Sequence, residues 1–513
     1  MNKTTLLLGA MGFATTAIAQ NQERPNVILL VADDLGFGDL SCYGATRVST
    51  PNVDQVAKQG TLFTNAHACA STSTPSRYSL LTGEYPFRKR GTDVAAGNAG
   101  MIISPDQYTV ADAFKSAGYA TGAIGKWHLG LGSKTAQQDW NGTLDQDLSD
   151  LGFDYHYMMA ATADRVPCVF IENGKVSNYD PSAPIYVSYR KNFEGEPTGA
   201  QNPELLTKLK HSHGHDMSIV NGIGRIGYMK GGGKALWKDE NIADSIADRA
   251  IKFIEKNAKN PFFLYLCTND VHVPRYPHER FRGKSPMGLR GEAILQFDWT
   301  VKQVTDALKK LGIADNTILI ITSDNGGVLD DGYQDKAEEL AGTHNPGGPF
   351  RGAKYSSFEA GSVVPFIVSW PKQVPQGKIG DALVSQIDNV ASLAELIKVE
   401  LPAGAAADSR KQLKTWLGQS DESCPFAIKM SANHTLVARA KQWKYITPSQ
   451  GPAWLTWGPK VETGNSKDPQ LYDIDEAKFE SKNVAKEHPE TVKKFEELIN
   501  NVKTKKGFVD FKF

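Results

Sequence analysis

An excess of charge of either sign is missing from this 513-residue chain: 57 Lys and Arg balance 57 Asp and Glu. Nothing global therefore steers it to nucleic acid or an anionic membrane, and affinity for an anionic substrate has to come from locally placed cations. Cysteine is scarce as well. Cys42, Cys69, Cys168, Cys267 and Cys424 are odd in number and scattered, with no C-x-x-C pair. Neither a zinc site nor a disulfide framework is signalled. Cys267 lies in an apolar run and reads as a core residue, while one bridged pair elsewhere stays open. Apolar runs of the roughly 18 residues that a membrane span requires are absent, as are internal repeats and low-complexity tracts. The chain is long enough for one large core plus a smaller unit.

The N-terminus carries Lys3, an apolar run from Leu6 to Ala19 broken by Thr15 and Thr16, and Ala17-Ile18-Ala19 before Gln20. This is the three-part pattern of a secretory signal, with cleavage expected after Ala19. No cysteine follows to accept a lipid, so the pattern predicts a soluble exported protein, periplasmic or secreted. Beyond it, short β-rich runs alternate with segments of helical period, which predicts an α/β fold with a large mixed, mostly parallel sheet sandwiched by helices. The clearest strands are Asn26–Val31, Tyr119–Ile124, Phe262–Cys267, Thr317–Thr322 and Val364–Ser369. Ile242, Ile246, Ala250 and Ile254 recur behind Asp239, the expected N-cap of that helix. Ile294, Val301, Val304, Leu308 and Leu311 mark the next one. After the turn-forming Pro402-Ala403-Gly404, the character changes at about Ser420. The expected division is 1–19 leader, 20–419 main domain and 420–513 a small α+β subdomain. Its antiparallel strands lie near His434–Ala438 and Trp443–Ile446, and its terminal helix carries Val492, Phe495, Leu498 and Val502 on one face. Lys503–Lys506 reads as a solvated helix end.

Open α/β sheets place their sites at the carboxyl ends of the strands, and polar residues gather there. NVILLV runs into Asp33-Asp34-Leu35-Gly36, and TILIIT into Ser323 and then Asp324-Asn325-Gly326-Gly327. FFLYLC runs into Thr268-Asn269-Asp270-Val271-His272, and the strand ending at Ile124 into Gly125-Lys126-Trp127-His128. Each could be ordinary turn chemistry. Together they place an Asp-Asp pair, an Asp-Asn pair, a lysine and two histidines on one sheet edge. Asp33, Asp34, Asp324 and Asn325 offer only oxygen donors, which suit Ca²⁺ or Mg²⁺ and not zinc. A further segment reads Ser73-Thr74-Pro75-Ser76-Arg77, followed by Leu81-Thr82-Gly83. Pro75 suits a first helical position. The helix start then presents unpaired N–H groups toward Ser73 and any anion there, with Arg77 supplying a fixed cation one turn in.

This S-x-P-S-R-x-x-x-L-T-G segment resembles the signature of sulfatases of the alkaline phosphatase superfamily. The other segments follow in that family's order: D-D, the box, G-K-W-H, an isolated His, D-N-G and then a Lys. The last matches Lys354 in Arg351-Gly352-Ala353-Lys354. Glu359-Ala360-Gly361 follows, with Ala where relatives often have Gly. The resemblance covers nearly all of the chain after the leader and implies that Ser73 is oxidised to formylglycine, whose hydrate is the nucleophile. Serine-type relatives are bacterial and are matured by an anaerobic radical enzyme before export. The implied metal is Ca²⁺, with Mg²⁺ the alternative, held by Asp33, Asp34, Asp324 and Asn325 and one oxygen of the modified Ser73. In the implied mechanism Arg77, Lys126 and Lys354 neutralise the sulfate oxygens. One hydrate oxygen attacks sulfur, and His272 or Lys354 protonates the leaving alcohol. His128 deprotonates the second hydroxyl, expelling sulfate and regenerating the aldehyde.

Competing readings are a phosphoesterase of the same superfamily with unmodified Ser73, a single-metal phosphonate hydrolase that shares much of the box, and a glycan-binding protein with a dead site. A two-zinc site would need further Asp and His ligands at strand ends, and none is found; a dead site would need a damaged constellation, and no member is missing. For substrate, Asp164-Arg165 can accept and donate to a sugar hydroxyl. His213 and His215, in His211-Ser212-His213-Gly214-His215-Asp216, form a second candidate element. The region resembles carbohydrate sulfatases acting on galactose or N-acetylgalactosamine 6-sulfate. The expectation is exo-acting 6-O-desulfation of a galacto-configured sugar, with glucosamine 6-sulfate and galactose 4-sulfate as competitors.

Overall fold

The computed structural model describes residues 24–475, 480–505, 507 and 509–511. The expected leader, 1–19, lies outside the described residues, as does Lys506. Ten strands form the main sheet: β1 Asn26–Ala32, β2 Gly60–Phe63, β3 Ala120–Lys126, β4 Tyr155–Met159, β5 Phe170–Glu172, β6 Lys175–Val176, β7 Phe262–Cys267, β8 Thr317–Ser323, β9 Phe366–Ser369 and β10 Lys378–Gly380. Their order is β10-β2-β9-β8-β1-β7-β3-β4-β5-β6. The five central strands, β8 to β4, are parallel, and antiparallel pairs flank them. The sheet is mixed and mostly parallel, as the alternation of runs predicted. β1, β7 and β8 are buried along their whole lengths, which is why they read as continuous apolar runs and not as alternating ones.

Register brings the strand ends together. Ala32 pairs with Ser323, Val31 with Cys267, and Cys267 with Gly125. The residues that follow therefore leave the sheet at one level.

Two helix starts differ from expectation. Helix α1 spans Ser73–Thr82, so Ser73 opens the helix and Pro75 is its third residue. A proline is tolerated there because the first-turn N–H groups have no intrahelical partner in any case. Helix α2, Ile242–Asn257, buries Ile242, Ile246, Ala250 and Ile254 as the spacing predicted, but Asp239 does not cap it. Both Asp239 oxygens accept from the buried Arg225 guanidinium, at 2.9 and 2.7 Å. A bidentate, charge-assisted pair outcompetes a cap. Helix α3, Gly288–Lys310, packs beside α2.

A second, antiparallel sheet contains β11 Ala427–Met430, β12 Leu436–Ala440, β13 Trp443–Ile446 and β14 Gln470–Asp473. Helix α4, Pro489–Thr504, buries Val492, Phe495, Leu498 and Val502 in the core of this unit. The five cysteines are free, and no described helix is long and apolar enough to cross a membrane.

A buried charge cluster joins the second sheet to the first unit. Glu359 lies 2.6 Å from Lys429 Nζ, 3.0 Å from Lys444 Nζ and 3.3 Å from Arg439 Nε, and Lys444 also meets Glu480. Burial pushes Lys429 down to about 7 even beside Glu359. Glu359→Ala would remove the carboxylate from Lys429 and Arg439 and leave Lys444 with Glu480 alone. A loss of about 3–5 kcal/mol is expected, read as a lower thermal midpoint, with Glu359→Gln recovering only part of it.

Candidate active site

Asp33 and Asp34 leave β1, and Asp324 and Asn325 leave β8, all four fully buried. Asp34 has φ 56°, a left-handed conformation that aspartate tolerates better than most residues. Its N–H donates to Asp324 Oδ1 at 3.2 Å, and Asn325 Nδ2 donates to Asp34 Oδ1 at 2.7 Å. From β3, Lys126 Nζ donates to Asp33 Oδ1 at 2.6 Å and to Ser73 Oγ at 2.8 Å. Ser73 Oγ also lies 3.4 Å from both Asp33 Oδ1 and Asn325 Oδ1. The helix start and three strand ends thus meet on one oxygen atom.

Three carboxylates this close need compensation. For Asp324, Arg77 and then Lys126 outweigh burial and hold the carboxyl below its usual range. For Asp34, Lys354, His272 and Lys126 do the same. Asp33 is the exception: burial, with Asp324 and Asp34 alongside, pushes it up despite Lys126. Asp33 Oδ2 is buried and accepts no hydrogen bond. Asp33, Asp34 and His272 offer donor atoms within 4.8 Å of one another, and Asp324 and Asn325 adjoin them. A hard divalent cation fits the oxygen donors of Asp33, Asp34, Asp324 and Asn325 in this corner, because it would complete the shell of Asp33 and relieve the repulsion.

Arg77 departs from expectation. It is fully buried, with Nε and Nη2 at 2.9 and 2.8 Å from Asp324 Oδ2, and does not line the cleft. It orients and neutralises Asp324 from behind instead of facing a sulfate.

Above this layer opens a cleft of about 680 Å³, lined by Ser73, His128, Asp164, Arg165, His213, His215, His272 and Lys354 among others. His128 Nε2 is 2.9 Å from Ala95 O, so Nε2 carries the proton and buried Nδ1 is left a bare acceptor. Burial, then Lys126 and Arg165, hold this imidazole well below the ordinary histidine value. His272 Nδ1 donates to Val273 O at 2.6 Å, turning Nε2 toward Asp34 Oδ2, 3.6 Å away. Lys354 Nζ bridges Asp34 and Asp331 at 2.7 and 2.8 Å. Those two anions outweigh burial and raise the ammonium well above its usual range.

On the cleft wall, Arg165 Nη1 grips Asp164 at 3.1 and 2.8 Å, and His215 Nε2 meets Asp164 Oδ2 at 3.0 Å. Asp164 is 2% exposed, so the pair is built into the wall. His213 meets Ser212 Oγ at 3.0 Å and lies 3.7 Å from Asp330. Sequence reasoning missed Asp331 and Tyr355, whose hydroxyl donates to Asp331 at 2.8 Å. Asp330-Asp331-Gly332 reads as turn chemistry, and only the fold brings it to Lys354.

Residues 25–399 match the family described as Sulfatase. The chain belongs to the sulfatase family. It is 54% identical, over 95% of its own length and 94% of the relative's, to the N-acetylgalactosamine-6-O-sulfatase of Bacteroides thetaiotaomicron. It is 29% identical to the N-acetylgalactosamine-6-sulfatase of Sus scrofa, over 80% of this chain and 69% of that one. A solved structure of a 6S-sulfatase, from work on glycosaminoglycan metabolism by Bacteroides thetaiotaomicron, superposes with a TM-score of 0.92 at 53% identity. It covers 94% of this chain and 100% of that one. As a sulfatase, the chain is a sulfuric ester hydrolase.

The missed contact has a measurable consequence. Asp331→Asn removes one of the two anions that keep Lys354 protonated, so the lysine pKa falls. Activity should drop about 10–100-fold, and the alkaline limb of the pH–rate profile should move to lower pH than in the wild type.

Proposed function

We propose that this sulfatase removes the 6-O-sulfate from a terminal galactose or N-acetylgalactosamine of a glycan. The observation that carries the galacto assignment is the fixed Asp164–Arg165–His215 group in the wall of the cleft that holds Ser73. One guanidinium and one imidazole lock the carboxylate, leaving an acceptor and a cation aimed at a sugar hydroxyl such as the axial O4. The Bacteroides relative named for N-acetylgalactosamine-6-O-sulfatase activity supports it.

Ser73 Oγ marks the nucleophile's position. Oxidised to formylglycine, the residue supplies a hydrate with an attacking oxygen and a second hydroxyl. Asp33, Asp34, Asp324 and Asn325 would hold a divalent cation, Ca²⁺ in our reading, which when bound would supply positive charge to offset that of the sulfate. Lys126 holds the oxygen at residue 73 through its 2.8 Å contact, and Lys354 faces the sulfate as a fixed ammonium. The attacking oxygen gives its proton to Asp33, whose carboxyl is pushed up by burial. The bond that forms joins sulfur to that oxygen, and the bond that breaks joins sulfur to O6. The sugar alkoxide takes a proton from His272, because Lys354 is held protonated by two carboxylates and releases its own less readily. His128, neutral with Nδ1 bare, takes the proton of the second hydroxyl, so sulfate leaves and the aldehyde returns. Arg77 acts through Asp324. In this reading an anaerobic maturase acts before export, and the leader pattern at 1–19 supports a working enzyme in the periplasm or medium. Residues 20–419 would form the catalytic domain and 420–513 the smaller one.

Two measurements test this. In active enzyme, mass spectrometry of the peptide carrying Ser73 should show the aldehyde; full activity with intact serine would favour the unmodified-serine phosphoesterase reading. A panel of galactose 6-, N-acetylgalactosamine 6-, glucosamine 6- and galactose 4-sulfates should show turnover of the first two. Arg165→Ala should lower their kcat/KM by about 10–200-fold. Equal rates on gluco and galacto sugars, or indifference to the mutation, would remove the specificity and leave a generic sulfatase.

A further inference from the structure

Two tryptophans, Trp454 and Trp457, sit on the 450–463 segment of the smaller unit, 56% and 54% exposed. Only Trp457 lines the cleft.

Its position is fixed with more care than a solvated loop requires. The segment folds back on itself: Leu455 N–H donates to Val461 O at 2.9 Å, and Thr463 N–H to Ala453 O at 2.8 Å. It is then tied to the stretch that carries Lys354. Arg351 Nε donates to Glu462 Oε2 at 2.8 Å, Ser356 Oγ to Glu462 O at 2.6 Å, and Ser357 N–H to Thr463 O at 2.8 Å. The indole stands edge-on to Tyr355, ring centres 5.2 Å apart at 74°, and Asp331 fixes the Tyr355 hydroxyl. On the other side, a Cβ at Gly458 would come within 2.5 Å of His213 Nε2, so the tip packs directly on the histidine loop. The result is a braced indole with more than half its surface open, at the mouth of a cleft roomier than one sulfated pyranose fills.

We infer that Trp457 is the platform of a second sugar subsite, which stacks the apolar C–H face of the residue joined to the desulfated sugar. This rests on the 6-O-sulfated glycan reading above. The chemistry fits that occupant. A pyranose offers one face of C–H groups to an aromatic ring while its hydroxyls stay wet, the arrangement a half-exposed tryptophan suits. Among the described residues that line the cleft, the fixed cations are Lys354, assigned to the sulfate, and Arg165, paired with Asp164 and assigned to O4, so the platform takes a sugar ring and not a second sulfate. Trp457 acts on specificity, favouring a 6-sulfated unit in an oligosaccharide over the free monosaccharide.

The test uses matured enzyme and two substrates, N-acetylgalactosamine 6-sulfate and a trisaccharide bearing it at the non-reducing end. The readout is the ratio of kcat/KM for trisaccharide to that for monosaccharide. Trp457→Ala should lower this ratio about five- to tenfold, mainly through KM. Trp457→Phe should recover most of it, and Trp454→Ala, exposed to a similar degree but outside the cleft, should leave it at the wild-type value. Active enzyme with an unchanged ratio in Trp457→Ala, or an equal fall in Trp454→Ala, overturns the subsite alone. Wild type silent on both substrates yet active on another sulfate ester overturns the 6-O galacto reading and the subsite with it.

Discussion

Everything in this active site depends on the mutual repulsion of three buried carboxylates. Two charges about 4 Å apart still cost about 4 kcal/mol at the dielectric typical of partly screened protein sites. Asp33, Asp34 and Asp324 lie side by side with no access to water. A fold that places them so has to bring cations to each. Arg77 answers Asp324, Lys126 answers Asp33, and Lys354 answers Asp34. The chain as a whole is neutral, so this local concentration of both signs is a product of the fold and not of composition. It also explains why one carboxylate, Asp33, keeps an uncompensated oxygen: three side-chain cations do not satisfy every lone pair, and a divalent ion suits what remains.

The same repulsion makes the sheet register matter. A one-residue slip between β1 and β8 would move Asp34 away from Asp324 and part Asn325 from Asp34. The covalently distant Lys354 has no strand to hold it in line. Its segment is braced from the other side by the smaller unit, through Glu359 with Lys429 and Lys444, and through Arg351 with Glu462. The second sheet is therefore part of how the lysine reaches Asp34, and not an appendage. The Glu359 group is removed from water, where losing one partner costs far more than at a surface, whereas Arg351–Glu462 stays about one-third exposed.

The elements that were legible in the sequence are those whose signal is local. Fully buried parallel strands announce themselves as apolar runs, and their polar ends follow directly. NVILLV and TILIIT locate Asp33, Asp34, Asp324 and Asn325 at strand ends without reference to any tertiary contact. What was not legible depends on tertiary placement. Arg77 is one turn into its helix, and its direction is decided by Asp324, 247 residues away. Asp239 has the residue type and position of a cap, yet a buried Arg225 takes it. Asp331 and Trp457 come from loops whose composition says only turn, and nothing in their neighbours names Lys354 or the cleft. Asp164-Arg165 falls between these cases. Its residue types suggest sugar recognition, but only the fold brings His215 onto the carboxylate and builds the pair into the wall.

That third partner bears on how selectivity can arise. Each carboxylate oxygen offers about two lone-pair directions. Arg165 occupies one on Asp164 Oδ1, and Arg165 and His215 together use those of Oδ2. On the galacto reading, what is left is a single direction on Oδ1, held rigidly and nearly out of water. A hydroxyl that points along it is bonded by a charged acceptor. A sugar whose hydroxyl points elsewhere leaves that acceptor desolvated without a donor, which costs more than the hydrogen bond itself is worth. Discrimination between axial and equatorial O4 then comes from the penalty on the wrong epimer, imposed by a group already saturated on its other three sides.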